Sequence, residues 1–419
     1  MKLKMKTKIF PVFALLLLAV SCNKNESQTL VLHTPQQIYN TIILNWEQAS
    51  VSDFEYYMVV RSSDQNRYEI INDIVTPTSN AFRKEITTFE DRSYPLDVDI
   101  LYYKIMAVGK TIQSSQSLCY QIENPVRLIK GNIQDVHYID EANKLSVLLY
   151  DYSEGHRTFL KTFDLETGQF SSNEAPVYLS TSTSWCYWGK YNGKTEFYNY
   201  GSIYTNGNIY VYDVSTLQQV ASIETPYIGY GPYTVNNKGI IYVHSDYYLY
   251  LFSRITGKYT QYQSANYYDS IWLYYNSKDN KLYAVGNRIQ TFILDDNGNV
   301  KGDEMYTIEN LNYFPLYIEN SSLFVVSSNS GIKILDMNTK TFHNTGLSRM
   351  PNVVLLNNNV IYAADTYSQI YKLSAGNYAL IETIPARVVP NKFFVNNGYL
   401  LFFGRFPNSV TYILDKIKL

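Results

Sequence analysis

A chain of 419 residues is too long for one ordinary domain, so two or more folded units, or one large repeat array, are expected. Charged residues are 17% of the chain and the formal net charge is -2, which leaves no basic excess for phosphate backbones and argues against nucleic-acid binding. Tyrosine is the anomaly, at 42 residues: a phenol joins apolar area to a hydrogen-bonding tip and suits both half-exposed strands and stacking surfaces.

The N-terminus carries Lys2, Lys4, Lys6 and Lys8, then an apolar run from Ile9 to Val20, then "AVSC". That run is too short for a mature transmembrane helix and has the layout of a signal peptide over residues 1–22. Its end resembles a bacterial lipobox, with small Ser21 before Cys22, although Ala19 stands where leucine is commoner. The resemblance implies cleavage before Cys22, lipidation of that cysteine, and a chain tethered to the outer membrane or cell surface of a Gram-negative bacterium. Residues 23–28 are a short polar linker.

Residues 29–124 alternate as strands do: "TIILNWE" with Trp46, "FEYYMVVRSS", "RKEITTFED" and "ILYYKIMAVG", separated by Asp, Asn, Pro and Ser. Several short strands in so few residues suggest a β-sandwich. The Trp46 strand, the "FED" of Phe89–Asp91 and the alternating Tyr103, Ile105 and Ala107 resemble a fibronectin type III domain. Such a domain implies a spacer or protein-binding module, with Trp46 in the core rather than on a ligand.

From residue 125 to 419 one phrase recurs: "FLKTFDLETGQF", "IYVYDVSTLQQV", "LYLFSRITGKYT", "QTFILDDNGNVK", "GIKILDMNTKTF", "QIYKLSAGNYAL" and "VTYILDKIKL". The aligned residues Asp164, Asp213, Ser253, Asp295, Asp336, Ser374 and Asp415 recur with a period of about 40 residues, and a second turn-plus-strand phrase precedes each. About four strands per repeat at that period predict a β-propeller, here of seven blades. Each Asp or Ser is expected to accept backbone amides just beyond it, with Gly168 or Gly257 at a positive φ closing the hairpin. The last copy ends too soon for a fourth strand, so Val126–Lys130 is expected to supply it. The fold class is therefore all-β, a fibronectin type III-like sandwich followed by a seven-bladed propeller. The "DLETG" and "SRITG" turns resemble those of YVTN and quinoprotein-like repeats.

Nothing in the sequence assembles a catalytic set. The five histidines lack metal-site spacing, and the glycine of "LDDNGNVKGDE" comes too early for a calcium loop, leaving a hairpin turn. Cys119 and Cys186 suit buried free thiols or an interdomain disulfide. No enzymatic activity, cofactor or metal is expected. A quinone-dependent enzyme is the alternative that the turns raise and the sparse tryptophans oppose.

The loops between second and third strands, and between blades, differ in composition from the short turns. They carry Tyr230, Tyr233, Tyr267, Tyr268, Arg288, Arg349, Arg387 and Arg405, with Tyr152, Tyr200 and Tyr367 among their companions. Aromatics and guanidinium groups meeting at one mouth would stack on a ligand and grip its carboxylates or hydroxyls. The function expected is recognition of an extracellular glycan or protein; a scaffold subunit of an outer-membrane complex is the alternative.

Overall fold

The computed structural model describes residues 30–38, 41–64, 67–95, 98, 100–110, 114–123, 127–152, 157–177, 186–200, 207–226, 232–245, 247–263, 272–286, 288–308, 315–405 and 412–419. Among these the chain is all-β, with one short 3-10 turn at Asn80–Phe82 and no helix long and apolar enough to cross a membrane. It divides into two compact units, residues 1–128 with 414–419, and residues 129–413.

In the first unit, Gln36–Ile38, Thr41–Asn45 and Thr88–Asp91 form a three-stranded sheet. Glu69–Ile70, Phe54–Ser62, Ile100–Gly109 and Ser114–Gln116 form a second, and Tyr120–Glu123 also pairs with Ile100–Gly109. Strand alternation places Ile42, Leu44 and Trp46 on the buried side of one sheet, and Tyr103, Ile105 and Ala107 on that of the other. Trp46 is a core residue, its ring edge-on to Tyr57 at 5.3 Å between centroids. Asp91, from the first sheet, accepts both oxygens' worth of hydrogen bonds from Arg61 Nη1, at 3.0 and 2.8 Å, and one from Tyr103 Oη at 2.7 Å, both on the second. A carboxylate this deep is tolerable only with such partners.

The remaining strands repeat one motif. Six four-stranded antiparallel meanders follow in chain order, starting at Ile133, Cys186, Tyr233, Trp272, Leu316 and Val353; we call them sheets 1 to 6. Sheet 7 runs Val389–Asn396, Tyr399–Arg405, Tyr412–Lys418 and Arg127–Ile129. The expectation for the segment near 126–130 is thus met by residues 127–129, which take the fourth place beside the last strand. Such pairing covers a strand edge that would otherwise expose its amides and carbonyls.

Successive sheets share their cores. Leu148 and Leu160 of sheet 1 pack with Phe197 and Tyr212 of sheet 2, and Tyr198 and Val211 of sheet 2 pack with Ile241 and Phe252 of sheet 3. The pattern continues from sheet 3 to 4, 4 to 5 and 5 to 6. Asn352 Nδ2 donates to Pro390 O at 3.0 Å, joining sheets 6 and 7. Sheet 7 in turn meets sheet 1 through Lys392 and Asp135 at 3.1 Å, and through Asn396 and Asn143 at 2.6 Å. Each large apolar side chain removed from water contributes about 1.5–3 kcal/mol, so neighbouring sheets stabilise one another.

The recurring turn works as its sequence suggests. Asp164 Oδ1 accepts the amides of Glu166 and Thr167 at 2.9 Å, and Asp213 Oδ1 those of Ser215 and Thr216 at 2.9 and 3.1 Å. Gly168 and Gly257 have φ of 69° and 65°. The glycine is dispensable, however: Leu217, Lys340 and Tyr378 hold φ of 59°, 54° and 61° at the matching positions. Asp295 Oδ1 is occupied by the amides of Asn297 and Asn299, as a hairpin turn requires. Cys186 is a free thiol, its pKa pushed up by burial, whereas Cys119 is disulfide-bonded, so the two do not pair and the free-thiol expectation holds for Cys186 alone.

Candidate functional site

In an antiparallel meander the first strand begins, the second ends and the third begins at one end of the sheet. The sequence-predicted arginines all lie at that end. Arg288 opens the third strand of sheet 4. Arg405 closes the second strand of sheet 7, paired with Val389, and Arg387 stands two residues before Val389. Arg349 sits in the connection to sheet 6 and lays its guanidinium 3.9 Å from the ring centre of Tyr367, between the second and third strands of that sheet. The Asn352 bond to Pro390 ties sheets 6 and 7 together at this same end, so it brings Arg349, Arg387 and Arg405 onto adjoining sheets.

The tyrosines sort differently. Tyr233 is 7% exposed and its hydroxyl donates to Tyr198 O at 2.7 Å, so it packs between sheets 2 and 3 and has no surface to offer. Tyr200 is buried as well. Tyr230, Tyr267 and Tyr268 lie outside the described residues, as does Cys22. The open rings are Tyr152 at 68%, Tyr367 at 63% and Tyr247 at 47%, each between the second and third strands of its sheet. Tyr247 escapes sequence reading because its loop is too short to stand out from the strands around it.

A second constellation was not anticipated. Polar side chains on or just beyond the first strands of several sheets act on one another electrostatically. The charges of Lys190 (sheet 2) and Lys392 (sheet 7) both act on His137 (sheet 1) and on Glu319, which follows the first strand of sheet 5. Burial first, and then those two lysines, lower the His137 pKa to about 3, which keeps the imidazole neutral. Glu319 is open to water, yet burial raises its pKa, with the lysines opposing. Tyr187 belongs to the same group, its pKa pushed up to about 12, first by burial and with Glu319 contributing. Tyr274 stacks on Tyr317 at 4.6 Å. Lys190 is held by Asp140 at 2.5 Å and Lys392 by Asp135. The sequence signal was faint, a polar residue on or just beyond the first strand of sheets 1, 2, 5 and 7.

Among the described residues no group of His, Cys, Asp and Glu is placed to hold a metal ion. No protein-family model matches the chain, and no curated protein matches it.

Proposed function

We propose that this is a lipid-anchored binding protein of the Gram-negative cell envelope, attached through Cys22. In this reading residues 29–124 form a fibronectin type III-like stalk and residues 125–419 a seven-bladed propeller. The end bearing Arg288, Arg349, Arg387 and Arg405 recognises an extracellular glycan that carries carboxylates. The role is binding, without catalysis.

The observation that carries the ligand class is the stacking of Arg349 on Tyr367, with Arg387 and Arg405 at the same end of the adjoining sheet. A guanidinium flattened on a phenol is pre-oriented: its edge offers a planar fork to a carboxylate while the exposed ring offers a face to a pyranose. The propeller reading is supported by cores shared between successive sheets and by contacts between sheets 7 and 1.

The test is an array of acidic and neutral glycans probed with the protein lacking residues 1–22. Carboxylated sugars are expected to bind, and Arg349→Ala together with Arg387→Ala to weaken them at least about tenfold, the loss of roughly one charge-assisted hydrogen bond. Retention of neutral glycans alone, or unchanged binding by the double variant, rejects the reading. Capture of a protein by this end and of no glycan would favour the scaffold alternative.

A further inference from the structure

The first unit holds a cleft of about 470 Å³ whose floor is Trp46, Val59 and Ala81 and whose rim includes Asp73 and Glu90. Two observations point to a ligand. Trp46 is 5% exposed, and its Nε1 is buried with no hydrogen-bond partner. An indole N–H shut away from water without an acceptor costs about 1–3 kcal/mol, and Trp46 is one of the residues lining the cleft.

The second observation is the strand that forms one wall. Among the described residues Thr88–Asp91 pairs on one side only, with Thr41–Asn45, which leaves its other edge without a strand partner there. The Trp46 amide donates to Thr87 O at 3.0 Å, which makes the opposed residues 46 and 87 a hydrogen-bonded pair. Antiparallel pairs alternate, so Leu44 with Phe89 is bonded in the same way, and Asn45 with Thr88 and Ile43 with Glu90 are not. The N–H and C=O groups of Thr88 and Glu90 therefore point away from the sheet at that edge, and both residues line the cleft.

We infer that this cleft is a binding site for an extended peptide of basic character, which adds to the Thr88–Asp91 edge as a strand. Its main chain pairs with the outward groups of Thr88 and Glu90. One apolar side chain enters the cleft over Val59 and Ala81, beside the Trp46 indole. The charge preference follows from the rim. Asp73 is ionised through the ordinary range, since the amides of Val75 and Thr76 hold its pKa down. Glu90 adds a second carboxylate, shared with Arg92, and among the described residues no Lys or Arg lines the cleft. The site is independent of the glycan reading, which concerns the other unit.

The test uses the full chain with ¹⁵N-labelled tryptophan and follows the indole N–H signals. The Trp46 signal is assigned by its loss in Trp46→Phe or, should that variant not fold, by elimination with single replacements of the other three tryptophans. The probes are two synthetic seven-residue peptides with valines and a central phenylalanine, one alternating with lysine and the other with glutamate. The lysine peptide is expected to shift the Trp46 signal and to bind at least about tenfold more tightly than the glutamate peptide. Thr88→Pro removes the outward N–H at an edge position and should weaken binding by a similar factor. Glu90→Lys leaves the main chain alone and should abolish the charge preference. The inference is overturned by absence of a Trp46 shift with either peptide, by equal affinity for the two, or by a Glu90→Lys protein that still prefers lysine.

Discussion

Among the described residues each unit holds a triad of arginine, carboxylate and tyrosine, and the two are built differently. In the first, Asp91 receives Arg61 and Tyr103, and the Asp91 and Arg61 side chains are 1% and 7% exposed. In the second, Glu196 of sheet 2 receives Arg254 at 2.6 Å and Tyr198 Oη at 2.7 Å, while Arg254, 17% exposed, also lies 4.4 Å above the Tyr191 ring. In both, burial first and then the adjacent carboxylate push the tyrosine pKa up, so the phenol stays a donor. The first triad joins the two sheets that make up that unit's core. The second joins one pair of sheets among several. A polar network of the same chemistry can therefore govern a whole core or a single joint, depending on how many other contacts share the load.

The largest effect should come from Asp91→Asn, which leaves the buried Arg61 with only the exposed Glu69 as counter-charge. About 3–5 kcal/mol should be lost from the unfolding of the first unit, read from chemical denaturation. Arg254→Met should cost the second unit less, about 2–3 kcal/mol, since solvent already screens part of that pair and the methionine keeps contact with Tyr191. If Arg254→Met proves the more damaging change, the contrast between whole core and single joint fails.

Acid should then separate the units. His137 has a folded-state pKa of about 3 against an ordinary 6.5, so between those values the unfolded chain binds the extra proton. Its contribution is complete above pH 6.5 and is lost as pH falls toward 3, with a slope of at most about 1.4 kcal/mol per pH unit. His137→Gln should flatten that acid limb in the melting temperature of the second unit. A limb of unchanged slope would place the titrating group elsewhere.

The smallest expected effect concerns a turn. Lys340 is exposed at φ of 54°, and glycine at that φ avoids the side-chain clash, so Lys340→Gly should stabilise the second unit by about 0.5–1 kcal/mol. A loss of stability would mean that its distant pairing with Glu304, at 3.5 Å, outweighs the backbone strain.

Much of this molecule was legible as local chemistry. Five residues suffice to write the Asp164 or Asp213 turn, because the carboxylate and the amides it accepts are near neighbours in the chain. The strand alternation around Trp46 and Tyr103 and the missing fourth strand of the last repeat were readable for the same reason. The arginines could be assigned to one end of their sheets because a meander fixes which strand ends coincide. Three things only the tertiary structure decided. It turned Tyr233 inward onto Tyr198 O while leaving Tyr247 outside, a choice made by the neighbouring sheet and invisible in either tyrosine's own surroundings. It gathered His137, Lys190, Glu319 and Lys392 from four different sheets, where each side chain's charge state depends on residues far away in sequence. It also closed the core around Trp46 without giving the indole N–H an acceptor. Turn chemistry acts within a few residues and is written in the chain, whereas burial and electrostatics are summed over every element that packs nearby and exist only once the sheets have met.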